Sequence, residues 1–123
     1  MVTMNFDAFQ KTFQTLVSSR KRACDEKAKD ESISHNEQVM FRLCGSVYTL
    51  MLSVIRSTPK CYPDPNDALE HYRVFMTTLS SKWRQEREQA IAVRDHATLL
   101  ELTVKTEALH EVERFFELAK SKA

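Results

Sequence analysis

Apolar residues recur along this chain at three- and four-residue steps in four separate stretches, the spacing that lines one face of an α-helix. In the first, Asn5 to about Lys29, Phe6, Phe9, Phe13, Leu16 and Val17 form an aromatic-rich stripe. The run Asp25 to Glu31 is dominated by charge and reads as a connector. Ser34 with Glu37 three residues on is a capping box opening a second helix. Its apolar positions Val39, Met40, Leu43, Val47, Met51, Val54 and Ile55 continue to Pro59, which is expected to stop it, with Cys44 and Tyr48 on the edge of the face. CYPDPND then supplies a turn and a helix start. Asp64 is placed to cap, Pro65 fits the first helical position, and Asp67 suits the positive end of the helix dipole. Leu69, Tyr72, Phe75, Met76, Leu79 and Trp83 line the third helix. A bend or short loop is expected near residues 89 to 95, with Asp95 capping a fourth stripe of Leu99, Leu102, Leu109, Val112, Phe116 and Ala119.

Four amphipathic helices joined by short connections predict an all-α, antiparallel up-and-down bundle. The 123 residues fit one domain, and composition agrees. A single glycine, Gly45, is too few for the turns and bulges of a sheet protein of this size. Inside a helix it implies close approach of a neighbouring backbone, at a cost of about 1 kcal/mol relative to alanine. The 18 basic and 17 acidic residues nearly cancel, which argues against nucleic acid as the main partner. No apolar run approaches the roughly 18 residues of a membrane span, so the chain is not expected to be transmembrane. Cys24, Cys44 and Cys61 lack the paired spacings of zinc or redox motifs and are expected to be free, mostly structural thiols.

Candidate catalytic groups are sparse. Glu107 and His110 have the Glu-x-x-His spacing of bundle di-iron sites, but no second copy exists, since none of His35, His71 or His96 follows a glutamate by three. HEVER lacks the second histidine of a zinc-protease helix, and one glycine cannot build a phosphate loop. The expectation is a non-enzymatic protein with no metal or cofactor of its own.

Val47-Tyr48-Thr49, HYR from His71 to Arg73, Trp83-Arg84, and TLLELTVKTEALHEVERFF from Thr98 to Phe116 together resemble the LYR-motif family of small mitochondrial helical proteins, over about residues 43 to 116. Thr49 stands where the motif has arginine. The resemblance implies a three-helix core, residues 34–123; residues 1–33 supply an additional amphipathic N-terminal helix and charged connector that compact members of the family lack. It also implies an accessory or assembly subunit of a larger mitochondrial complex, in the respiratory chain, iron-sulfur biogenesis or the mitoribosome. Acyl carrier protein is the implied partner, its acylated phosphopantetheine arm received between the helices. The residues assigned to partner binding are Tyr48, Arg56, Arg73, Trp83, Arg84 and Arg87, arranged as a groove between the Tyr48 and Trp83 helices flanked by arginines. The acid-poor, basic N-terminal segment resembles an import signal, consistent with a mitochondrial matrix address and with cytoplasm as the alternative. A second reading is a soluble helical adaptor or chaperone unrelated to acyl carrier protein, docking through its aromatic N-terminal helix.

Overall fold

The computed structural model describes residues 4–123, and these form four helices: α1 (Phe6–Ala28), α2 (His35–Cys61), α3 (Pro65–Ala92) and α4 (His96–Lys122). At 1.5 Å per residue the four are closely matched in length, roughly 35 to 42 Å. They run up, down, up and down. The α1 start and the α4 end meet where the Asn5 amide donates to the Ala123 carbonyl at 3.2 Å.

Each helix begins on a side-chain acceptor that satisfies an otherwise orphaned amide. Asn5 accepts from Ala8, Ser34 from Glu37, Asp64 from Asn66 and Asp67, and Asp95 from Thr98. The connector after α1 is built on Asp30, whose carboxylate accepts from the Ser32 amide and hydroxyl and whose carbonyl accepts from Gln38.

In cross-section the bundle is a rhombus. α1 pairs most extensively with α2, α2 and α4 pack across the short diagonal, and α1 and α3 occupy the far corners. The far corners meet through an aromatic cluster at one end. Phe9 meets Phe116 edge-to-face at 5.4 Å, and Phe13 meets Tyr72 at 5.8 Å and Phe116 at 5.6 Å. Such pairs contribute about 0.5–1.5 kcal/mol each beyond the area they bury.

Several expectations need correction. α1 contributes fully to the shared core, with Phe9, Phe13 and Val17 among the most buried residues. The end of α1 falls at Ala28, as the expected bound near Lys29 has it, with Cys24 and Ala28 buried; only the connector reading of Asp25 to Ala28 is corrected, since these residues are helical. The buried stripe of α2 is rotated toward α1. Gly45, Tyr48 and Leu52 are buried, while Val39, Met40, Leu43 and Val54 are half-buried. Pro59 does not stop α2, which continues to Cys61. The proline removes the amide that would bond the Ile55 carbonyl, and that carbonyl is taken up by its neighbours. Gln10 Nε2 of α1 donates to it at 2.5 Å, and the Tyr72 hydroxyl of α3 lies 3.0 Å from it and 2.7 Å from Gln10 Oε1. Three helices are thereby tied at one backbone oxygen.

The α3–α4 turn falls where expected. It closes as a Schellman motif, with the Arg94 amide donating to Ile91 and the Asp95 amide to Ala90 at 2.8 Å. Arg94 takes the left-handed conformation, φ 58°, that glycine usually fills.

Candidate functional site

α2 presents two different sides to its surroundings. Its inner side is apolar, and by length and mean hydropathy the helix is apolar enough to cross a membrane. Its outer side carries Ser46, Thr49, Ser53, Arg56, Ser57 and Lys60, all exposed.

Where that outer side meets α1, a groove of ≈ 710 Å³ opens. Lys21 and Arg22 reach it from α1, and Arg56 and Lys60 from α2; Ser18, Thr49, Ser53 and Ser57 supply hydroxyls. Asp25 is the one acid on its wall, and it is paired with Lys21 at 2.5 Å. Arg22, Arg56 and Lys60 have no carboxylate partner among the described residues. An adjoining groove along α1 carries Lys11 and Arg22 together with Asp7. Cations from two helices around one concavity create a positive potential suited to carboxylates and phosphates. Thr49 also opens onto the groove between α1 and α2.

Tyr48 faces elsewhere. It is buried on the wall of a second cleft between α1 and α2, of ≈ 460 Å³, with Arg20, Cys24, Phe41 and Cys44. Burial pushes its hydroxyl up to about 12, and the Arg20 guanidinium beside it opposes that rise. Arg20 is correspondingly raised, chiefly through Tyr48.

The structure does not bring the six residues assigned to partner binding into one groove. Trp83 is buried in the same apolar core as Tyr48, with the Lys105 ammonium of α4 5.5 Å from its ring centre. Arg73 pairs with Glu70 at 2.9 Å on the exposed side of α3, beside Glu113 and Glu117 of α4. Arg84 and Arg87 are exposed farther along α3. The physical reason is the rhombic packing: α4, not α3, lies across from the buried side of α2. Of the six, Arg56 lines the basic groove between α1 and α2. Its neighbours Lys21 and Arg22 were not singled out as binding residues, because only the α1–α2 crossing sets them opposite Arg56. Arg20, next to Tyr48, likewise had no local signal.

Glu107 and His110 are both exposed on α4, and no group of three or more histidine, cysteine or carboxylate ligands converges among the described residues. No protein-family model, no curated protein and no solved structure matches this chain.

Proposed function

We propose that this chain is a non-enzymatic adaptor that docks an acidic protein along the basic groove between α1 and α2. In its specific form the proposal is an LYR-like accessory or assembly subunit of a larger mitochondrial complex, with acyl carrier protein as the acidic partner. The observation that carries it is the set of unpaired cations, Arg22, Arg56 and Lys60, converging where Thr49 replaces the motif arginine. Positive charge lost at one motif position is supplied from neighbouring turns and from α1. Arginine's planar fork suits both the carboxylates of an acidic helix and the phosphate of a carried arm.

The test is binding of purified holo-acyl carrier protein to the immobilised chain, alongside a triple charge reversal (Arg22→Glu, Arg56→Glu, Lys60→Glu) checked for unchanged helicity. The proposal expects saturable binding that weakens at least about tenfold from low to high salt and is abolished by the reversal. Binding that survives the reversal refutes the groove. No binding of the carrier, with another acidic protein captured through the same three residues, refutes the acyl-carrier identity and leaves the basic docking face.

The alternative adaptor reading loses its expected docking face, since the α1 aromatics are in the core. An exposed apolar trio at the α3–α4 end, Ile91, Val93 and Leu100, keeps a non-carrier helical partner as the second reading.

A further inference from the structure

Two of the three thiols, 20 residues apart in sequence, meet across the α1–α2 seam. Cys24 of α1 and Cys44 of α2 line the same cleft, near enough that each thiol influences the other's acidity. The helices approach closely at this level. A methyl group built on Gly45 would stand 3.8 Å from Cys24 Cβ and 3.2 Å from an Asp25 carboxylate oxygen. Cys24 is buried, whereas Cys44 is half-buried and opens to the cleft. Cys61 is exposed at the far end of α2, about 25 Å along the helix from Cys44.

We propose that Cys24 and Cys44 form a dithiol modification site, closed to a disulfide between α1 and α2 by exchange with a small-molecule disulfide of the glutathione class. Neither adaptor identity nor the basic groove is needed for this inference. The Cys44 thiolate, the accessible one, attacks a sulfur of the small disulfide and releases one small thiolate, leaving a mixed disulfide on Cys44. The Cys24 thiolate then attacks Cys44 Sγ and expels the second small thiolate. The two protons leaving the protein thiols end on the two released small thiols. The protein pair is oxidised by two electrons and the small disulfide is reduced by the same two.

The surroundings set the rate. Burial raises both thiols, Cys44 to about 11. Arg20 on α1 opposes the rise for both; Asp25 of α1 adds to it at Cys24 and Glu107 of α4 at Cys44, with Tyr48 of α2 on the same wall. The pair is therefore held as thiols at neutral pH, and closure accelerates as the solution is made alkaline.

The experiment uses the full chain carrying Cys61→Ser, equilibrated with oxidised and reduced glutathione, in native buffer and in urea, and read by intact mass, peptide mapping and melting. The folded protein is expected to lose two hydrogens and yield a Cys24–Cys44 linked peptide. Its effective thiol concentration should exceed that of the urea-unfolded chain by at least about tenfold, and its melting temperature should rise by roughly 10 °C. With Cys44→Ser added, the buried Cys24 should stay unmodified. The proposal is overturned if the folded chain remains a dithiol, or stops at a single adduct on Cys44, under conditions where the unfolded chain closes the bridge.

Discussion

Tyr72→Phe in wild-type and Pro59→Ala backgrounds tests whether the Ile55 carbonyl is held by tertiary donors because Pro59 offers none. Tyr72 is fully buried, so the substitution keeps the ring and deletes only the hydroxyl 3.0 Å from Ile55 O and 2.7 Å from Gln10 Oε1. The one hydroxyl proton is shared between these two acceptors, and its loss leaves Gln10 Nε2 as the remaining side-chain donor to the carbonyl. Removing one partner of a buried pair costs about 1–2 kcal/mol, a fall of roughly 5 °C in melting temperature for a chain of this size. Pro59→Ala restores a backbone amide four residues after Ile55, so the carbonyl regains a helical donor whatever Tyr72 does. The cost of Tyr72→Phe should then drop by about 0.5–1 kcal/mol, the coupling expected of residues sharing one acceptor. Urea unfolding followed by far-UV circular dichroism, with an unchanged m-value, measures all four corners of the cycle. Equal costs in the two backgrounds would refute the shared-carbonyl reasoning, and so would a Tyr72→Phe variant as stable as the parent.

Arg94→Gly should stabilise the protein by about 1 kcal/mol, because it relieves a left-handed backbone without disturbing the Schellman bonds; a lower urea midpoint would show that the arginine side chain matters more. Deleting residues 1–30 removes Phe9, Phe13 and Val17 from the core, so the remainder should lose most of its helical circular dichroism rather than survive as a three-helix unit. In alkali, Tyr48 and Tyr72, each raised to about 12, and Cys44, raised to about 11, are all raised first by burial. The unfolded chain therefore releases these protons at lower pH than the folded one. Stability should hold below about pH 9 and fall as pH rises from there to about 12, by up to about 1.4 kcal/mol per pH unit for each group. A urea midpoint that stays level to pH 11 would contradict this, and Tyr72→Phe should make the decline shallower.

The helices were legible in the sequence because each stripe is long and each start carries its own cap, as Ser34, Asp64 and Asp95 show. What was hidden depends on contacts between helices. Pro59 reads locally as a stop, yet α2 passes through it because Gln10 and Tyr72, distant in sequence, satisfy the freed carbonyl. The α3–α4 turn has no glycine to mark it, since arginine takes the left-handed position. The stripe on α2 is drawn round toward Tyr48 because α1 docks over Gly45, a direction periodicity along one helix cannot encode. The candidate site was legible only in part for the same reason. Arg56 carries a cation in the sequence, but its grouping with Lys21 and Arg22 follows from which helices become neighbours.

The Asn5–Ala123 hydrogen bond brings the two ends of the described chain to within one residue's reach of each other. A short linker could join them into a continuous ring, and the ring could be reopened at the exposed connector between α1 and α2 without displacing a core side chain. Such a circular permutant would reverse the order in which the seams are made. α1 would then follow α4, and its pairing with α2, now a short-range hairpin, would become the longest-range closure in the chain. Comparing its folding rate with that of the parent would show whether the α1–α2 hairpin leads assembly of the bundle or completes it.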